Sequence, residues 1–254
     1  MTNDQPGTTE AGAETPGPRV GNRHPLALVL FALTAVSGFV DAVTFLGLGR
    51  VFAANMTGNV VVIGFAAAGA PGFSVTGSLV SLGAFLVGAA GAGRLARAFR
   101  GRRRVPWVRA ALVGEAVLLG VTTVLAFAGA ADATYVLIAL LALAMGLRNG
   151  TVLKLNVPDL TTTVLTRTLT GLAVESRLAG GADRLAVRRI GATLAMVAGA
   201  LPGAWLVLHH GIGWPLLAGT SAVTAVACLY RERPEGTPGE SGGRSGKRNF
   251  RTRS

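Results

Sequence analysis

Eight apolar runs, at about 26–47, 51–70, 75–96, 108–129, 133–150, 160–178, 187–208 and 212–230, organise this chain of 254 residues. Most approach the roughly 20 residues that an α-helix needs to cross a bilayer. None shows the period-two alternation of a membrane barrel, so the runs read as helices. Half of the residues are hydrophobic and only 14% are charged, which makes this an all-α polytopic membrane protein. The segment MTNDQPGTTEAGAETPGPRVGNRH lacks the basic start, apolar middle and small-residue cleavage site of a signal peptide, and reads as a disordered polar tail over 1–24. A membrane domain follows over 25–230, in halves of about 26–130 and 133–230, and then a disordered basic tail over 231–254.

The net charge of +12 does not point to nucleic acid. Membrane proteins concentrate Lys and Arg in cytoplasmic loops, and that excess sets their orientation. If all eight segments crossed, the loop with Arg94, Arg97, Arg100, Arg102, Arg103, Arg104 and Arg109 would face opposite to the one with Arg184, Arg188 and Arg189. If instead the second and sixth segments re-enter or stay buried among the other helices, the tails, the Arg-rich loop and the stretch from Arg148 to Arg189 share one side. Only Arg50 is left outside. The outer turns AGAADAT and LHHGIGW carry no Lys or Arg, as that arrangement requires. The expectation is about six crossings with both termini cytoplasmic, in the plasma membrane of a bacterium.

A weak internal repeat recurs at an offset of about 108 residues. GFVDAVTFLGL aligns with GLRNGTVLKLN, placing Asp41 against Asn149, and NMTGN aligns with VLTRT, placing Thr57 against Thr166. Each half is a span, a polar-headed segment and two further spans. Three crossings per half invert the second half relative to the first, an inverted-repeat architecture found in many secondary transporters.

The polar heads are the candidate site. Asn55, Thr57 and Asn59 interrupt the second run, and Thr161, Thr162 and Thr163 of PDLTTTVLTRT open the sixth. Polar side chains and irregular backbone persist at membrane depth only where protein buries them or a wet cavity meets them. Asn55 or Thr57, and Asp159 or Thr161 after Pro158, can cap helices that start inside the membrane. Such helix ends attract anions or polar solutes. The alternative is that these groups only hydrogen-bond neighbouring helices. Asp41 lies within a span, where an acid marks a functional site by default; its alternative is a salt bridge to Arg50 or a helix cap near the outer interface. Glu115 lies close enough to the Arg-rich loop to snorkel towards it, and Arg167 and Glu175 disfavour a lipid-facing sixth segment.

Other features are structural. Cys228 is alone, so no internal disulfide forms, and within its apolar run it behaves as a small buried hydrophobe. His209 and His210 have no neighbouring Cys or carboxylate, so no metal site is expected. GTSA at 219–222 has no oriented base, so no enzyme is expected, and no cofactor. The glycines of GAFLVGAAGAGR provide small residues for close helix packing.

GFVDAVTFLGLGRVFAANMTGNVV together with VPDLTTTVLTRTLTGL resembles the YoaK-type family of bacterial inner-membrane proteins. The resemblance covers roughly 26–230 and implies a multi-pass plasma-membrane protein. The family pattern has Gly in the second motif where this chain has Arg167, so a charge enters that cluster here.

Two functions fit these features. One is a secondary transporter or permease for a small polar or anionic solute, with Asp41, Asn55, Thr57, Asn59, Asn149, Thr161, Thr162 and Thr163 as substrate-binding residues and Asp41 as the coupling acid. The other is a sensor or assembly factor whose polar motifs are structural. The expected partners are the lipid bilayer and the solute, and oligomeric state is not legible. The absence of a Walker-type loop argues against ATP-driven transport. The tail RERPEGTPGESGGRSGKRNFRTRS has too few apolar residues to fold. Deleting residues 236–254 should therefore leave membrane insertion unchanged, as read by the amount of folded protein in isolated membranes.

Overall fold

The computed structural model describes residues 25–99, 104–129, 133–155, 165–174 and 186–229. They form eight helices: α1 (Pro25–Gly47), α2 (Met56–Ala67), α3 (Val75–Ala98), α4 (Arg104–Phe127), α5 (Thr134–Leu155), α6 (Leu165–Val174), α7 (Ala186–His210) and α8 (Gly213–Leu229). No strand occurs among the described residues. The helices fall on the eight apolar runs. Both tails, the segment from Pro158 to Thr163, and Glu175 lie outside the described residues, as does the side chain of Arg167.

Four stretches, Val75–Ala98, Pro106–Phe127, Thr134–Leu155 and Arg189–His210, are long and apolar enough to cross a membrane. The 23 residues of α1 reach about 34 Å at the helical rise, also enough for a hydrocarbon core of about 30 Å. The 12 residues of α2 reach only about 18 Å. Leu86, Val87, Val124, Leu194, Leu201 and Leu208 are all more than half exposed. On a soluble protein these would be unsatisfied apolar faces; in a bilayer they meet lipid. The chain is a polytopic all-helical membrane protein.

Two parallel helix pairs, α1 with α7 and α3 with α5, form the closest contacts, and α4 packs against α8 and α5. The pairs are close because glycine sits at each crossing. A β-carbon built on Gly38 would stand 2.2 Å from the Met196 carbonyl oxygen, and one on Gly199 would stand 1.8 Å from that of Ala35. On the other pair, a β-carbon on Gly146 would meet the Phe85 carbonyl oxygen at 2.1 Å, and one on Gly88 that of Leu143 at 2.1 Å. No side chain fits there. Gly83, Gly91 and Gly93 face open space, so of the glycines in GAFLVGAAGAGR only Gly88 serves close packing.

Between these pairs lies a buried ion pair. Glu115 of α4 and Arg148 of α5 form a salt bridge, with side chains 1% exposed. Arg148 also donates to the Leu33 carbonyl oxygen at 2.9 Å and to Ser37 Oγ at 3.1 Å, tying α5 to α1. The expected snorkelling of Glu115 is therefore wrong, and Arg148 is not a loop charge. An arginine seven positions before the end of α5 finds its carboxylate across the bundle, where pairing removes the cost of an isolated charge. Arg189, also expected in a cytoplasmic loop, is buried, with its guanidinium about where a β-carbon on Gly171 of α6 would lie, at 2.8 Å. Cys228 is exposed rather than buried, because the inward position of its turn is taken by Ala227.

Two measurements probe this core. Gly146→Leu should lower stability by about 1–3 kcal/mol or more through overpacking, while Gly83→Leu stays near neutral in the same thermal unfolding assay. Glu115→Met alone should cost about 3–5 kcal/mol by stranding Arg148, and adding Arg148→Met should recover most of that loss.

Candidate functional site

The chain from Leu48 to Asn55 leaves α1 without entering another helix, yet Val51, Ala53 and Ala54 are buried. Its backbone groups need partners that neither lipid nor a regular element supplies. Side chains supply them. Asp41 Oδ1 accepts from Ala53 N at 2.9 Å and Ala54 N at 2.7 Å. Asn59 Oδ1 accepts from Phe52 N at 2.8 Å while its Nδ2 donates to Phe52 O at 2.7 Å. Ser81 of α3 donates to the same Phe52 oxygen at 2.6 Å, and Asn59 Nδ2 lies 3.1 Å from Ser81 Oγ. Asp41, in α1, and Asn59, in α2, thus clamp the loop from both sides.

The clamp leaves one atom over. Asp41 is 5% exposed, and its Oδ2 has no hydrogen-bond partner among the described residues. Asp41 lines a cavity of about 730 Å³ that also takes in Asn55 and Thr57. The rest of the wall is apolar. Five of the ten phenylalanines line it, in company with Met56 and with Met196 of α7. The Phe45 and Phe52 rings stack at 4.7 Å, and Phe65 meets Phe73 edge-on at 5.6 Å. Leu169 brings α6 to the same cavity.

Of the residues expected at the site, Asp41, Asn55 and Thr57 come together in one cavity. Asn59 stands behind it, fully committed to the loop. Asn149 is buried in α5 and does not line the cavity. Thr161, Thr162 and Thr163 lie outside the described residues. The expected caps differ too: Asn55 is the residue before α2, but its side chain makes no capping bond, and Thr57 is already helical. Asp41 does not pair with Arg50, whose guanidinium lies over the Phe73 ring at 5.3 Å from its centre. Sequence reasoning missed the aromatic wall and the Arg148–Glu115 pair. The clustering of five phenylalanines between positions 45 and 85 was the available signal for the first.

The chain is similar to known proteins. Over 145 residues it is 37% identical to the UPF0700 transmembrane protein YoaK of Bacillus subtilis (strain 168), a match covering 57% of this chain and 64% of that protein. No solved structure matches. The family described as "Protein of unknown function (DUF1275)" matches residues 29–229, from α1 to the end of α8. This chain, with its Asp41-clamped loop and aromatic cavity, belongs to that YoaK-type family of transmembrane proteins.

Proposed function

We propose that the protein is a secondary transporter or permease that passes a small polar solute through the cavity beside Asp41, and that its halves form an inverted repeat. One observation carries this reading: the helix crossings exchange under repeat symmetry, residue for residue. Gly38 and Ala35 of α1 correspond to Gly146 and Leu143 of α5, 108 positions later; Gly88 and Phe85 of α3 correspond to Gly199 and Met196 of α7, 111 positions later. The contact of Gly38 with Met196 is then the counterpart of Gly146 with Phe85, and Gly199 with Ala35 the counterpart of Gly88 with Leu143. Thr123 Oγ1 and Thr220 Oγ1, 2.9 Å apart, join α4 to α8, the remaining pair.

Phe85 and Met196 are repeat counterparts that both line the cavity. The cavity therefore lies at the interface of the halves, where transporters of this architecture hold their solutes. Rocking of one half against the other would open it to either side. Asp41 Oδ2, without a hydrogen-bond partner among the described residues, is the group that would carry a coupling proton. Part of the polar cluster supports the competing structural role, since Asn59 and Ser81 hold the loop rather than face the cavity.

The length of α2, too short to cross, supports six crossings with both ends cytoplasmic. Exposed Tyr135, Trp205 and Trp214 lie at the end assigned to the outside, like an interfacial aromatic belt. In a Cys228→Ser background, a cysteine at Ala128 should react with an impermeant reagent added outside intact cells, and one at Ala98 should not; the reverse pattern removes the topology.

Transport itself is tested by comparing metabolite uptake between a deletion strain and its parent. Asn55→Ala should abolish the difference while leaving the protein as stable as wild type, because this side chain caps nothing. Asn59→Ala should instead lower stability, by about 1–3 kcal/mol for the Phe52 amide it strands, while Ser81 still serves the Phe52 carbonyl. Equal uptake in deletion and parent across all solutes would refute the transporter reading.

A further inference from the structure

The cavity's chemistry selects among solutes. The only ionisable side chain among its described lining residues is Asp41. That carboxylate has one oxygen bound to two backbone amides, and the other has no hydrogen-bond partner among the described residues. The buried cation Arg148 bonds Glu115, Leu33 and Ser37 rather than Asp41, and its Nε has no partner among the described residues. Arg50 is exposed, does not line the cavity and lies over one face of Phe73. Four other rings, Phe45, Phe52, Phe65 and Phe85, line the cavity. An aromatic face attracts a cation that has shed water, and repels an anion.

These features argue against an anionic solute. The Ala53 and Ala54 amides ahead of α2 already face the Asp41 carboxylate, and the Gly58 and Asn59 amides of its first turn bond the Asn55 carbonyl oxygen, so much of what would draw an anion there is taken. They also argue against a hard metal ion such as Ca²⁺ or Mg²⁺, which takes six or more oxygen ligands, whereas the only side-chain oxygens among the described lining residues are those of Asp41, Asn55 and Thr57. Resting on the transport reading above, we infer that the solute is a small organic cation, an amine or quaternary ammonium with an apolar or aromatic body. Its charged nitrogen docks at Asp41 Oδ2, and its body packs on the phenylalanine rings, with Asn55 and Thr57 at the mouth. A carboxylate that can hold either this cation or a proton, but not both, exchanges one for the other.

The test uses the purified full-length chain in lipid nanodiscs, titrated calorimetrically with three water-soluble probes of similar shape: benzyltrimethylammonium, benzyl alcohol and benzenesulfonate. The expected result is saturable binding of the ammonium, with the sulfonate weaker by about tenfold or more. Asp41→Asn keeps an acceptor for Ala53 and Ala54 and removes the charge, so it should cost the ammonium about tenfold and leave benzyl alcohol unchanged. Thr57→Trp, on an exposed position, should block the mouth and abolish binding of every probe. If Asp41→Asn fails to fold, the charge preference of the wild type decides by itself, and Phe85→Leu, which removes a ring from the wall, should weaken the ammonium several-fold more than the alcohol. Binding of the sulfonate or alcohol as tight as the ammonium, blocked by Thr57→Trp, overturns the cation and leaves a solute cavity standing. Binding of none of the three overturns the cavity as a solute site as well.

Discussion

A stretch of backbone outside any helix, buried in a membrane protein, must have its hydrogen bonds made by side chains, and Asp41 and Asn59 make them for the loop between α1 and α2. The rest of the site depends on this. The loop turns the chain back so that Ala53 and Ala54 lie beside Asp41 and α2 starts close by, with Asn55 and Thr57 at its head. An unmet amide or carbonyl here would cost several kcal/mol in hydrocarbon, so the polar cluster in an otherwise apolar run is first a requirement of folding. Because a carboxylate has two oxygens and the Ala53 and Ala54 amides use only one, the other is left beside the cavity with no hydrogen-bond partner among the described residues. Folding and the candidate site share one residue.

Around that loop, the frame is held by contacts that tolerate little change. Parallel pairs α1–α7 and α3–α5 meet backbone to backbone at glycine. Between apolar helices in lipid there is no hydrophobic drive to associate, so close packing and interhelical polar bonds have to do it. Arg148 joins three helices in this way, through Glu115 of α4 and through Leu33 and Ser37 of α1. The pair is conditional: complete, it links the helices; with one partner missing, it leaves a charge where none can be solvated.

The eight helices were legible because apolar runs and helix length are linked by bilayer thickness, a constraint that sequence carries directly. So was the meeting of Asp41, Asn55 and Thr57 in one cavity, since polar groups in an apolar run have few places to go. What each group does was not legible. Asn59 and Asn55 are the same residue type four positions apart, and only the path of the loop makes one a clamp and the other part of a cavity wall. Arg148 and Glu115, 33 residues apart, looked like loop-directed charges because position along a helix says nothing about which neighbour faces it. The phenylalanine wall was missed for a related reason: an aromatic residue in a membrane run is by default lipid-facing or core, and its convergence on a carboxylate is a fact of tertiary structure.

The proposed repeat is symmetric in packing and asymmetric in charge. Asp41 has Asn149 as its counterpart, a side chain of the same shape without the charge. Arg148, Ser37 and Leu33 correspond to Val40, Met145 and Leu141, and those three belong to one buried apolar cluster. The same crossing of α1 and α5 is thus polar on one side of the axis and apolar on the other. If the halves exchange conformations during transport, the two resulting states keep the same glycine contacts but differ in where the ions lie. Electrostatics is then one source of the energy difference between them. Solute charge and protonation at Asp41 are the quantities that act on that difference, so binding at this carboxylate would shift the balance between the states rather than merely fill one of them.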